Sequence, residues 1–129
     1  MHPRFTAADI LYIALGGTAG SLLRWWIGLG YEGAFPAPTI FINVLGAAAL
    51  AVLYASQHRL HLQGRYLYMV GFCGSFTTVS LFTQETILLL ERGHWKAALL
   101  NLALPVGAAL LLAGVIIGPV ERAVERRRE

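Results

Sequence analysis

Four long apolar runs limit what this chain can become. They fall at roughly residues 10–29, 39–56, 66–90 and 95–118 of 129, with only short polar connections between them. About 20 apolar residues suffice for a helix to cross the hydrocarbon core of a bilayer. In that solvent each backbone N–H and C=O must find its partner inside the protein, which favours helices. The chain is 57% hydrophobic and 13% charged, against a charged fraction of roughly 25% in soluble domains. The expectation is an all-α membrane protein, a single four-helix transmembrane domain over residues 1–129, seated as a multi-pass protein in the cell inner (plasma) membrane.

Charge and cysteine content remove several alternatives. The net charge is +3, but the basic residues gather at the ends of the runs and are not interleaved with aromatics along a face, so no nucleic-acid partner is expected. Cys73 is the sole cysteine, which excludes an internal disulfide and a cysteine metal cluster. The first run has no basic region leading to a small-residue cleavage site, so a cleaved signal peptide is not expected.

The third run contains the anomaly. Gly71-Phe72-Cys73-Gly74-Ser75-Phe76-Thr77-Thr78-Val79-Ser80-Leu81-Phe82-Thr83-Gln84-Glu85 places two glycines, a β-branched triplet and five hydroxyl residues (Ser75, Thr77, Thr78, Ser80, Thr83) at membrane depth. Glycines and β-branched residues weaken a helix. Freed backbone survives in hydrocarbon only where it is buried in protein or lines a wet path. The stretch predicts a helix broken in mid-membrane, with carbonyls and hydroxyls available to hold or pass an ion. The alternative is a continuous polar helix with hydroxyls bonded back one turn.

Other polar residues carry two readings each. Arg24, beside Trp25 and Trp26 near the end of the first run, either snorkels to the interface or guards an anion entrance. Asn43 either glues helices together or meets a permeating ligand. His58 and His61 are two ligands without a third, and read as solvated loop residues. Asn101 and Pro105 interrupt the fourth run, and Pro105 predicts a kink or a freed carbonyl. All four histidines lie outside the runs, and no nucleophile–base pair is present, so no enzyme is expected. Intramembrane Arg24, Asn43, Glu85 and the hydroxyl cluster suit an anion path.

Four stretches then carry a resemblance: Gly16-Gly17-Thr18-Ala19-Gly20-Ser21-Leu22-Leu23-Arg24, Thr39-Ile40-Phe41-Ile42-Asn43-Val44-Leu45-Gly46, residues 71–86, and Glu91-Arg92-Gly93. In this order and spacing the chain resembles the CrcB/Fluc family of small fluoride channels. The resemblance implies an antiparallel, dual-topology dimer of four-helix subunits with two fluoride pores. It also implies a structural sodium ion on the dyad, held by the backbone carbonyls of Gly74 and Thr77. Asn43 would donate to fluoride, and Phe82 would offer its ring edge, the positive part of the aromatic quadrupole. Ser80 would lie on a polar track, Arg24 at the vestibule, and Thr39 and Glu85 near a pore end. The implied role is passive export of cytoplasmic fluoride and hence fluoride resistance.

Three departures stand out. Val79 occupies the first of two family phenylalanine positions, and Leu81 stands where a threonine is common. In the fourth run Asn101, Pro105 and Ala109 replace a tyrosine and serines. The basic residues are also unevenly divided. Arg4, Arg59, Arg65, Arg122, Arg126, Arg127 and Arg128 fall on one side, Arg92 and Lys96 on the other, which favours cytoplasmic termini. Together these suggest an alternative assembly: one half of an obligate antiparallel heterodimer with a second family member, in place of a homodimer. Two further readings compete, a small four-helix multidrug antiporter and a non-conducting scaffold. Such an antiporter relies on a carboxylate in the middle of its first span, and none lies between Ile10 and Leu29.

Overall fold

In a computed structural model the chain is all-helical over the described residues, 5–126. Arg4, Arg127 and Arg128 of the charge comparison lie outside them. Four helices are long and apolar enough to cross a membrane: span one (Ala7–Gly28), span two (Ala37–Ala55), span three (Leu62–Glu91) and span four (Trp95–Val120).

Span one begins earlier than its apolar pattern predicts because Thr6 caps it. Thr6 Oγ1 accepts from the Asp9 N–H at 3.2 Å, and Asp9 Oδ2 accepts from the Thr6 N–H at 2.9 Å. This reciprocal pair satisfies N–H groups that a helix start leaves unpaired. Span one ends at a turn through Gly30, whose φ of 72° is one that L side chains rarely adopt. Gly93, at φ 76°, closes the turn between spans three and four in the same way. There its N–H donates to the Leu90 carbonyl at 2.9 Å.

The basic stretch after span two is not all loop. Gln57–Arg59 forms a single 3₁₀ turn, and helix resumes at Leu62 instead of Tyr66. Tyr66–Cys73 then winds as a π-helix, a wider coil, before one α-turn at Gly74–Phe76. This wide segment is the principal contact surface of span one. The approach is backbone to backbone. A Cβ built on Gly71 would stand 2.5 Å from the Ile13 carbonyl oxygen, and one on Gly20 would clash with the Phe72 carbonyl. In lipid, close packing of small residues replaces the hydrophobic effect as the force joining helices.

Burial is accordingly inverted relative to a soluble bundle. Asp9, Thr39, Thr78 and Asn101 are buried, whereas Trp25, Trp26, Leu110 and Leu111 are largely exposed. Phe76 and Ile42 are the large apolar side chains fully enclosed at the centre. Span four runs as α-helix from Trp95 through Pro105 to Leu112, then as a π-segment at Ala113–Ile117. Pro105 does not end the helix. Having no N–H, it leaves the Asn101 carbonyl without the usual helical donor.

Candidate ion pathway at the break in span three

Span three is broken, but not at its glycines. Gly71 and Gly74 are helical, and Gly71 serves the contact with span one. The chain leaves the helix at Thr77 (φ −75°, ψ 158°) and re-enters it at Ser80. The interruption therefore falls on the β-branched run Thr77–Val79.

Two other spans hold the break open. Asn43 of span two exchanges two hydrogen bonds with the Thr78 backbone. The Thr78 N–H donates to Asn43 Oδ1 at 2.8 Å, and Asn43 Nδ2 donates to the Thr78 carbonyl at 3.0 Å. An uninterrupted helix would send that N–H back to the Gly74 carbonyl. Arg24 of span one donates through Nη1 to the Thr77 carbonyl at 3.2 Å. Arg24 thus does something neither of its two readings foresaw, pinning a carbonyl that the break releases. Thr78 Oγ1 in turn accepts from the Leu81 N–H at 3.3 Å, satisfying one of the donors that the start of the resumed helix leaves unpaired.

The residues singled out by sequence, Gly74 excepted, distribute over three hollows. Asn43, Thr77, Val79 and Phe82 share an open groove of about 320 Å³, whose far wall is Pro105, Val106, Ala109 and Leu110 of span four. Arg24 and Ser80 share a second hollow of about 490 Å³ with Ser21 and Trp25. Thr39 and Glu85 share a third of about 260 Å³ beside Tyr31 and Arg92. Thr78 lines the first two hollows, and Leu81 lines the second and third. The three are thus adjacent stations along the resumed half of span three. Val79 is 77% exposed and points away from the protomer's core.

Within the third hollow Thr39 Oγ1 donates to Glu85 Oε1 at 2.7 Å, and Glu85 Oε2 is buried without a partner. Among the described residues no three His, Cys, Asp or Glu side chains converge as metal ligands. The break does free backbone carbonyl oxygens. The Gly74 carbonyl has lost its helical partner to Asn43, and nothing lies within 4 Å of the position a Gly74 Cβ would take. The Thr77 carbonyl keeps one lone pair beyond its bond to Arg24.

One pair escaped the sequence reading. Asn101 Nδ2 donates to Thr86 Oγ1 at 2.9 Å and to the Phe82 carbonyl at 3.3 Å, tying span four to the helix that carries Phe82. An asparagine within the fourth run was visible. The signal for its partner was a threonine one helical turn after Phe82.

Comparison with known proteins bears on this arrangement. Residues 11–118 match the family model described as CrcB-like protein, Camphor Resistance (CrcB). A Methylococcus capsulatus protein named "Fluoride-specific ion channel FluC" is 42% identical over 119 residues, 87% of this chain. This chain spans about half (51%) of that relative's length. Proteins of the same name from Shewanella baltica and Shewanella oneidensis are 34% identical over 110 residues, 81% of this chain and 89% of theirs. With its four spans, its broken third span and a family match over most of its length, the chain belongs to the CrcB family.

Proposed function

We propose that this chain forms a fluoride-selective channel of the cell inner membrane that passes cytoplasmic fluoride outward passively. One observation carries the reading. The break in span three brings Asn43 and Phe82 to one groove, with Asn43 held in place by the Thr78 backbone. An amide has two N–H groups, and the bond to the Thr78 carbonyl uses one. The second, with the positive edge of the Phe82 ring, suits a small hard anion. Arg24 and Ser80 supply a cation and a hydroxyl in the neighbouring hollow; in the next, the Thr39 hydroxyl is already donated to Glu85. The names borne by the Methylococcus and Shewanella relatives agree with this reading.

We further propose that a structural sodium ion is held by the carbonyls of Gly74 and Thr77, both of which the break leaves without a helical donor. Unwound backbone in a protein-buried site offers oxygen dipoles to such an ion. Two carbonyls are few for a hard cation, so a second copy facing the break would complete the set. An antiparallel dimer would supply that second copy, and the open surface around Gly74 leaves room for it.

A second reading is favoured by the span-four wall. Pro105, Val106, Ala109 and Leu110 offer the groove no side-chain donor, and Val79 brings no ring. A partner of the same family carrying those groups would complete the pore, making this chain one half of a heterodimer. The antiporter reading is disfavoured, because Asp9 is committed to the cap of span one.

The deciding measurement is fluoride efflux from liposomes holding this chain alone, read with a fluoride electrode against chloride efflux. Fast, fluoride-selective efflux supports the self-sufficient channel. Silence from a folded dimer, relieved by co-reconstitution with a second family member, supports the heterodimer. Silence under both conditions overturns the channel reading.

A further inference from the structure

Asn101 is the most completely enclosed polar side chain among the described residues, with 0% of its surface exposed. It does not line the groove beside Asn43 and Phe82. It touches the groove's components from behind. Its Nδ2 donates to the Phe82 carbonyl and to Thr86 Oγ1, and Thr86 Oγ1 donates to the same Phe82 carbonyl at 2.8 Å. Its Oδ1 is buried with no partner.

That half-satisfied amide is a poor device for stability alone. A buried acceptor without a donor is destabilising, and a leucine of similar volume would remove it. Such a replacement would orphan nothing, because Thr86 and the Phe82 carbonyl would stay bonded to each other. What leucine cannot do is grip the Phe82 backbone from span four. Asn101 lies one turn before Pro105 and two before Ala109, which form the wall opposite Phe82. A hydrogen-bonded grip at Asn101 therefore ties the ring-bearing helix to the helix that carries that wall. Val79, three residues before Phe82, brings no ring to support it.

We infer that Asn101, acting with Thr86, is a positioning residue for Phe82 that fixes its ring in the groove beside Asn43. The inference rests on the fluoride-channel reading for its consequence, though not for its geometry.

The test uses the full chain in two forms, with 4-fluorophenylalanine at position 82 in nanodiscs for ¹⁹F NMR and with its own Phe82 in liposomes for fluoride efflux. Asn101→Leu and Thr86→Val should each shift or split the position-82 resonance. Each should also lower efflux roughly 10-fold, a change of scale expected for a misplaced transition-state contact. Thr86→Ser, which keeps the hydroxyl, should match the unsubstituted chain in both readouts. The unfolding midpoint of Asn101→Leu should be unchanged or raised. An unchanged resonance in a folded Asn101→Leu chain overturns the inference, and so does a lowered midpoint with the ring signal intact, since that is interhelical glue alone. Should Asn101→Leu fail to fold, Thr86→Val decides on the same readouts. Should the unsubstituted chain pass no fluoride alone, efflux is read after co-reconstitution with a second family member; silence there as well overturns the channel reading, and the resonance still decides the positioning role.

Discussion

Asn43 and Thr78 pair as though they were two residues of facing strands. The amide accepts from the Thr78 N–H at 2.8 Å and returns a bond to the Thr78 carbonyl at 3.0 Å. Thr78 is only 7% exposed. Asn43→Leu would leave a buried donor and a buried acceptor unpaired, at a cost of about 1–3 kcal/mol each. Its unfolding midpoint in detergent should fall clearly and its fluoride efflux should vanish. Asn43→Asp keeps the acceptor but turns an oxygen toward the Thr78 carbonyl, and should lose efflux as completely. An Asn43→Leu chain as stable as the original would show that this pair does not hold the break.

The glycines divide into two groups with opposite expected behaviour. A Cβ at Gly20 would meet the Phe72 carbonyl and stand 3.0 Å from the Phe76 nitrogen, whereas one at Gly107 would meet nothing within 4 Å. Gly20→Ala forces spans one and three apart and should cost about 1–3 kcal/mol, the scale of an overpacked core. Gly107→Ala should be neutral, or stabilising by up to about 1 kcal/mol through helix propensity. Paired thermal unfolding of the two variants in detergent checks this. Equal midpoints would mean that backbone contact between spans one and three contributes little.

The number of spans, their approximate limits and the existence of a break were legible because long apolar runs and intramembrane hydroxyls are local signals. The location of the break was legible only to within the stretch, since its glycines and its β-branched run Thr77–Val79 both weaken a helix. Glycine weakens an isolated helix, so Gly71 and Gly74 drew attention, yet Gly71 is needed where span one presses against it. The break falls at Thr77–Val79 because partners 53 and 35 residues away, Arg24 and Asn43, take up its freed groups. Composition shows no such distant partners. For the same reason Asn101 could be seen as a polar intrusion but not as the neighbour of Thr86 and Phe82.

Gly74→Ala separates the protomer from the assembly. The added methyl meets nothing within the chain, so the fold of the single subunit should persist. If sodium sits between two copies at the Gly74 and Thr77 carbonyls, the methyl lands in the closest part of that junction. Unfolding midpoints measured in sodium and in N-methylglucamine salts should then differ for the unsubstituted chain and coincide for Gly74→Ala. A sodium-dependent midpoint that survives the substitution would place the ion elsewhere.

Arg24 joins two tasks, a hydrogen bond to the Thr77 carbonyl at 3.2 Å and a positive charge in the hollow that also holds Ser80. Arg24→Gln retains a donor and removes the charge. If the charge draws fluoride into the hollow, efflux should drop on the order of 10-fold at low ionic strength, and the gap should narrow as added salt screens the field. The unfolding midpoint should change little. A large fall in midpoint with efflux preserved would assign Arg24 to holding the break and not to the anion.

Leu81 stands between two polar stations. It lines the hollow of Arg24 and Ser80 and the hollow of Thr39 and Glu85. If an anion passes from one to the other, it loses hydration beside a side chain that offers no donor. Leu81→Thr places a hydroxyl at that point. One added hydrogen bond contributes on the order of 1 kcal/mol, which is roughly a fivefold change in rate if it is made at the barrier. Efflux from liposomes containing the variant alone should rise by about that factor, and further when combined with Val79→Phe. A rise would show that the conducting route runs through these two hollows of a single chain. If the double variant is no faster than the original, the route lies elsewhere or depends on groups supplied by a different subunit. Co-reconstitution with a second family member then separates those two cases.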